Sequence, residues 1–529
     1  MVPPTIDFMK ASYYDIFIFK ENMKIKWQLL LAISGPLLLF LIIGLEKVVS
    51  HYPGYDDAYN ATVAKNLASG FGYSTSYGEL IPFNPEVTTG PSLIIPATIL
   101  MKFIGAKYWV PSFSTLLISL VLILITFVLV YRYYEENSIN PSKFRFWLLL
   151  SFALLCLTFF WILDISEIEL LGEFPSGLFV CAGILVIFRS YSKVSVITGG
   201  ALLGLAIMSK LSASIMVFAV FVVWIVFFLI DYKSIKFTGS KVVPIFLLTG
   251  LIVPILIFES WKLLSLGTHG FLDNAKGGLD FFLSHGSGIN ETLSLDTGII
   301  KYTIMNLIKN FEVLKSSPSG IFRFYLFSIL FLGMMVSFFL KLRTRVKIST
   351  IDRVSFSAFI ATTLYVLWWL LFSSLGWYRH LQPGIVVMSF AIVISCVALF
   401  LHKAVLPLAF IMIIGIILYP SYWVSILNKK EMPSELISAT STTIDFIINE
   451  QNDGRTMLGC GWWANRRLEY FMPGTLNFHD CYSSDLRGSD LVVDREFWNW
   501  EQNPLMVEIE RSCSRLMLEI YPYSIYRCE

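Results

Sequence analysis

The sequence predicts a mainly α, polytopic helical membrane protein with outer juxtamembrane helices and a small C-terminal α/β domain. Three observations carry this. Hydrophobic residues make up 56% and charged ones 15% of 529 residues, at a mean hydropathy of +0.67, whereas soluble domains carry about 25% charged residues. Apolar runs recur at roughly the 20 helical residues needed to cross about 30 Å of hydrocarbon. The cations between those runs fall in alternate loops. The net charge of +2 and the lack of a basic run give no support for a nucleic-acid partner.

Residues 1–26 mix Lys10, Lys20, Lys24 and Lys26 with aromatics and read as a cytoplasmic segment. No A-x-A-like site follows, which argues against a cleaved signal peptide. A transmembrane unit over 27–427 begins with a span at 27–45. Further spans read near 110–131, 146–163, 172–189, 195–209, 212–230, 241–260, 321–340, 354–374, 383–401 and 404–424. That makes about eleven, of which the fifth is short.

With the N-terminus inside, the inner loops carry Arg132, Lys143 and Arg145, then Arg189 and Lys193, then Lys233, Lys236 and Lys241. The next holds Lys341, Arg343, Arg345, Lys347 and Arg353, and the last Lys403. The short outer turns are nearly free of cations. The pattern predicts a multi-pass protein of the plasma (inner) membrane, N-terminus cytoplasmic and C-terminus outside.

Two outer segments are long. The first covers 46–109, and the second, 262–320, is rich in Gly, Ser and Asn and reads as a lid, a binding loop or a mobile loop. From 428 to 529 the chain turns polar, with short apolar runs at Met457-Leu458-Gly459-Cys460 and Leu491-Val492-Val493 that read as strands. Trp462-Trp463 and Arg466-Arg467 read as a surface helix with a buried aromatic pair, substrate contact being the alternative. Cys460, Cys481, Cys513 and Cys528 are an even set able to pair in an oxidising compartment. Cys156, Cys181 and Cys396 sit in apolar runs as packing residues, and without a CxxC a zinc ribbon is not expected.

A charge at the centre of a span costs roughly 2.5–3.5 kcal/mol on insertion scales, so ionisable groups are driven to span ends. On the outer side stand Asp56 and Asp57, the turn with Asp164, Glu167, Glu169 and Glu173, then Lys210, Glu259 at the end of the seventh span, and Arg379 with His380. Their convergence marks a candidate site. Plain readings stand beside it. Acids at a helix start cap free N–H groups, which suits Asp57, and the acids of 164–173 suit a solvated turn. Gly200 and Gly204 are a small-xxx-small packing pair, and Asn60-Ala-Thr and Asn290-Glu-Thr match glycosylation sequons. No cofactor is indicated with certainty. A divalent metal ion is an option through His269 and His285 with Asp273 or Asp280, although no ligand spacing supports it.

In Tyr52-Pro-Gly-Tyr-Asp56-Asp57-Ala-Tyr59-Asn60 a Pro-Gly turn launches a short helix that Gly70 and Gly72 end. The stretch resembles the first outer loop of polyprenyl-phosphate-dependent glycosyltransferases of the integral-membrane GT-C type, among them protein mannosyltransferases and the aminoarabinose transferase of lipid A. Thr88-Thr-Gly-Pro91 through Gly105 resembles the family's Pro-containing juxtamembrane helix, and Gly204-Leu-Ala-Ile-Met-Ser-Lys210 its Gly-rich span ending in Lys. Gly376-Trp-Tyr-Arg-His380-Leu-Gln-Pro383 is similar to its late Arg-Tyr…Pro segment, with His380 where Tyr is usual.

The resemblance implies a hexosyl- or pentosyltransferase. It would move a sugar from an undecaprenyl- or dolichyl-phosphate donor to a lipid, glycan or protein acceptor at the outer face, among membrane lipids. Asp56 is implied as the catalytic general base, with Asp57 positioning it or the acceptor. Lys210 and Arg379 are implied to hold the carrier phosphate. His380, Glu173, Asp164, Glu259 and Tyr59 complete the candidate substrate-binding set. A single base gives inversion, and neighbours in one turn diverge by about 100°, so the Asp pair does not suit a covalent route. Two other readings compete. A polysaccharide polymerase or ligase favours a basic outer loop, which 262–320 is not, and a secondary transporter favours repeated halves and midplane charges.

Overall fold

The computed structural model describes residues 27–76, 79–136, 168–234, 243–281, 299–316, 318–343, 348–373, 378–400, 434–452, 456–460, 462–472, 478–481, 486–495, 509, 511–513 and 515–528. Every expected span that falls on these residues is a helix. They are α1 (Trp27–Ser50), α4 (Val110–Glu136), α5 (Glu173–Arg189), α6 (Lys193–Ser209), α7 (Ser214–Ser234), α8 (Val243–Phe281), α10 (Pro318–Arg343), α11 (Thr350–Phe372) and α12 (Gln382–Phe400). The expected spans at 146–163 and 404–424 lie outside the described residues. Among the described residues, Val110–Val130, Leu211–Asp231, Val243–Phe281 and Thr350–Phe372 are long and apolar enough to cross a membrane. Shorter apolar helices include Lys193–Ser209, the expected short span, and Pro91–Ile104.

α5 sits at the centre, buried along almost its whole length. Around it Trp224, Phe227, Phe359, Tyr365 and Trp369 build one continuous apolar core. Gly200 and Gly204 let α6 lie directly on α8, since a Cβ at either would meet Leu247 O at 2.5 Å or Leu251 O at 2.4 Å. At one end of the bundle Arg353, at the start of α11, forks onto Asp231 at the end of α7, and the Tyr191 hydroxyl donates to Asp231 at 2.7 Å. The candidate site occupies the other end.

That end is built from the α1–α4 segment. α2 (Tyr55–Ala68) is followed by Gly70 and Gly72, a small hairpin of β1 (Ser74–Thr75) and β2 (Ile81–Pro82), and α3 (Pro91–Ile104). Pro91 starts α3 where a missing N–H costs nothing, and Gly105 ends it at φ 89°.

Where described, the loop expected over 262–320 is helical instead. α8 runs on to Phe281 through a break at Gly267 (φ 68°, ψ 176°), and α9 covers Ile299–Ser316. Tertiary packing overrides the Gly-rich composition here. Phe258 and Trp261 pack on Tyr73 and Phe83 at 5.3–5.9 Å between ring centroids, and Asn274 donates to the Phe83 carbonyl. In consequence Glu259 does not end a helix. It lies within α8, 3.2 Å from Lys262.

The C-terminal part starts with α13 (Ser434–Asn452). Its sheet has the order β4-β3-β5-β7-β6, built from β3 (Thr456–Cys460), β4 (Phe478–Asp480), β5 (Ser489–Asp494), β6 (Arg515–Ile520) and β7 (Tyr523–Arg527). β3 runs parallel to β4 and β5, and β7 antiparallel to β5 and β6. Both apolar runs read as strands fall here, in β3 and β5. Disulfides join Cys460 to Cys481 and Cys513 to Cys528, while Cys181 is free and buried in α5. α14 (Trp462–Phe471) is not the surface helix expected, because Arg466 and Arg467 are buried against α2 and its approach.

Candidate active site

The Tyr52-Pro53-Gly54 turn delivers α2, and Gly54 is its N-cap without any side-chain cap. The two acids of the first turn are therefore not used up as caps. They diverge, as one helical turn dictates. Asp56 Oδ2 lies 2.6 Å from Nη2 of Arg379 in the tight Tyr378–Leu381 turn before α12, with Asp56 24% and Arg379 20% exposed. Asp57 is fully buried. Its Oδ1 accepts from the Leu170 N–H at 2.6 Å and its Oδ2 pairs with His51 Nε2 at 2.8 Å.

A second ion pair stands at the same end. Lys210, where α6 gives way to the Leu211–Ala213 turn, lies 2.9 Å from Oε1 of Glu173, the first residue of α5. The ammonium also donates to Thr88 Oγ1 at 3.2 Å and to Leu171 O at 3.4 Å. The ion pair is close, yet neither Glu173 oxygen takes an aligned hydrogen bond, so the attraction is Coulombic.

Backbone geometry holds this pair. Thr89 and Lys210 form an isolated antiparallel bridge, and Gly90 N donates to Ser209 O at 3.3 Å. Only glycine fits at Gly90, because a Cβ would stand 1.6 Å from Met208 O. Gly172, at φ +84°, meets the same strand of backbone from the other side. Asn60 joins the layers by donating to Thr89 Oγ1 at 3.0 Å and Leu170 O at 2.8 Å. It was legible in sequence only as a sequon, and its buried amide has this structural use instead.

His380 is half-buried behind Arg379. Its Nδ1 lies 3.3 Å from Ser373 Oγ, and its carbonyl accepts from Tyr365 OH at 2.8 Å, with Ser212 Oγ 3.1 Å from the same hydroxyl. Burial, with Lys210 and Arg379 nearby, holds the imidazole well below its usual pKa, so it stays neutral beside the two cations.

The remaining candidates are placed elsewhere. Tyr59 is buried on α2 with its hydroxyl between Asn84 and Glu86, at 2.6 and 3.3 Å. Asp164 and His285 lie outside the described residues, and His269 and Asp273 are exposed on α8. Among the described residues no three His, Cys, Asp or Glu side chains are grouped to hold a metal ion. The structure thus brings together Asp56, Arg379, Lys210, Glu173 and His380. Sequence reasoning missed His51, Ser212 and Tyr365, which carry no pattern of their own, and read Asn60 only as a sequon.

The crystal structure of ArnT from Cupriavidus metallidurans bound to undecaprenyl phosphate matches 93% of this chain and 98% of its own, with a TM-score of 0.54 and 12% identity. The chain has the GT-C fold. The apo state of the same ArnT matches over the same shares at a TM-score of 0.53 and 13% identity. ArnT is an aminoarabinose transferase of GT-C type. No known family model matches the sequence, and no curated protein matches it. At such identity the likeness carries the fold alone. On that GT-C fold this chain is a helical membrane protein whose two ion pairs share one end of the bundle.

Proposed function

We propose that this chain transfers a sugar from a polyprenyl-phosphate donor to an acceptor at the outer membrane face. The observation that carries the reading is the pairing of Asp56 with Arg379 beside Lys210 with Glu173, on a GT-C fold. A neighbour with undecaprenyl phosphate bound supports a lipid-phosphate donor.

In the site each cation is paired with an acid. An incoming phosphate competes for both, and Arg379 suits a bidentate grip on its oxygens. As Arg379 turns to the phosphate it releases Asp56 Oδ2. The acceptor hydroxyl oxygen attacks the anomeric carbon and its proton passes to Asp56. The carbon–oxygen bond to phosphate breaks, and the pair of electrons leaves with polyprenyl phosphate, steadied by Lys210 and Arg379. One displacement with one base inverts the anomeric centre.

Two disulfides in the C-terminal part support its exposure to an oxidising compartment, in agreement with the loop charges. Maleimide labelling of Asp494→Cys from outside and Arg343→Cys only after permeabilisation is the expected result, and the reverse refutes the orientation. The function is tested with purified protein, radiolabelled undecaprenyl-phosphate sugars and a membrane-lipid extract as acceptor. Transfer from at least one donor is expected. Arg379→Ala and Lys210→Ala should each cost about 2–4 kcal/mol of transition-state stabilisation. Full turnover in both variants removes the phosphate role.

A further inference from the structure

We infer that α14 of the C-terminal part is a clamp that positions Asp56, with Arg466 as a positioning residue acting through Tyr59. The inference rests on the reading of Asp56 as general base.

α14 grips α2 along its length. At the entry, Arg467 Nε donates to the Pro53 carbonyl at 3.0 Å, immediately before the N-cap Gly54, and the guanidinium stands 5.4 Å from the Tyr52 ring. At the middle, the Arg466 guanidinium lies 4.0 Å from the centroid of the Tyr59 ring. Tyr59 follows Asp56 by about one turn, on the same side of the helix. At the far end, Lys65 Nζ donates to Glu469 O at 2.7 Å and Met472 O at 3.1 Å, so a cation of α2 closes the C-terminus of α14.

The arginine is itself fixed. Arg466 Nη1 lies 3.1 Å from the buried Glu469, whose Oε1 accepts from the Ser76 N–H at 2.7 Å. These contacts are polar, directional and buried, and they join segments 404 positions apart. An apolar contact of equal area would hold α2 without fixing its register. Hydrogen bonds at the entry and at the end, with a stacked cation between, fix where the first turn of α2 stands against Arg379. A general base tolerates little misplacement, since a shift of about 1 Å can cost on the order of 10²-fold in rate.

The test compares wild type, Arg466→Ala and Arg466→Lys, each with and without Asp56→Asn. Three quantities are read in the full-length protein: turnover of a radiolabelled undecaprenyl-phosphate sugar, binding of undecaprenyl phosphate, and hydrogen exchange of the α2 amides. Arg466→Ala should lower kcat about 10–100-fold. The Kd for undecaprenyl phosphate should stay within about 2-fold, because Lys210 and Arg379 are untouched. Exchange should rise over 55–68 and stay unchanged over α5 and α11. Arg466→Lys should recover most of the rate, since an ammonium also stacks on the Tyr59 ring. In the Asp56→Asn background Arg466→Ala should cost nothing more.

Unchanged kcat, a Kd that rises in step with the loss, or an equal loss in both backgrounds overturns the clamp. If Arg466→Ala does not fold, Tyr59→Leu must give the same kcat-only loss, and a normal rate there overturns it equally. Full turnover in Asp56→Asn alone overturns the base assignment and the clamp with it. An inactive Asp56→Asn beside a normal Arg466→Ala overturns only the clamp.

Discussion

Breaking the Lys210–Glu173 pair should cost very different amounts depending on which partner is removed. At 2.9 Å the Coulomb attraction is about 6 kcal/mol at an effective dielectric of 20. The net worth is far smaller, because both groups left water to make it. Glu173 is 2% exposed and takes no aligned hydrogen bond, so Lys210→Met strands a buried carboxylate and should destabilise by about 3–5 kcal/mol. Lys210 is 13% exposed and still donates to Thr88 and Leu171, so Glu173→Gln should cost only about 1–3 kcal/mol. The double variant replaces the pair by uncharged side chains of similar size and should lie within about 1 kcal/mol of wild type. Detergent-solubilised thermal unfolding of the four proteins at one pH, compared as a double-mutant cycle, reads this directly. Equal costs for the single variants, or additive costs in the double, refute the argument that Glu173 depends on Lys210 for its charge balance.

Two further predictions concern the ends of the molecule. Burial, opposed by Glu469, lowers Lys65 to about pKa 8 when α14 is docked, against 10.5 for the free side chain. Docking therefore releases a proton between about pH 8 and 10.5, and the docked state gains stability as pH rises through that window, by at most about 3 kcal/mol. Thermal unfolding of wild type against Lys65→Met from pH 7 to 10.5 should show that gain only in wild type, and parallel curves contradict it. At the opposite end of the bundle, Asp231→Ala leaves the Arg353 guanidinium without its carboxylate and should destabilise by about 3–5 kcal/mol, while Tyr191→Phe removes one hydrogen bond and costs about 1 kcal/mol. A destabilisation by Tyr191→Phe that equals that of Asp231→Ala refutes this ranking.

What the sequence made legible were features written in local chemistry. The Pro-Gly turn, the Asp pair and the two following glycines bounded α2 closely, and Gly90-Pro91 to Gly105 bounded α3. Apolar runs located the spans, and Met457 to Cys460 and Leu491 to Val493 located β3 and β5. The region from Gly267 to Ser316 misled, since the end of α8 is held by Phe83 and Pro85 and α9 by Asn306 and Asn310 on the Leu371 and Trp369 carbonyls, contacts that no local pattern reveals. That Asp56, Glu173, Lys210 and Arg379 stand at one end of the bundle was legible because membrane insertion sorts charges to span ends. Pairing was not. Asp56 finds Arg379 across 323 positions and Lys65 finds α14 across 404, and a single sequence carries no record of either. Arg466 and Arg467 read as surface residues because most arginines are, and only the packed structure shows what they hold.

The measurement closest to the central claim is donor turnover by Asp56→Asn and Asp57→Asn, each checked for undecaprenyl phosphate binding. Asn keeps the shape of Asp56 and removes its basicity, so turnover should fall about 10²–10⁴-fold with carrier binding intact. Asp57 is buried on Leu170 and His51, so Asp57→Asn should lower stability first and turnover less. Full turnover in Asp56→Asn contradicts the account, and loss confined to Asp57→Asn would assign the chemistry to the neighbouring acid.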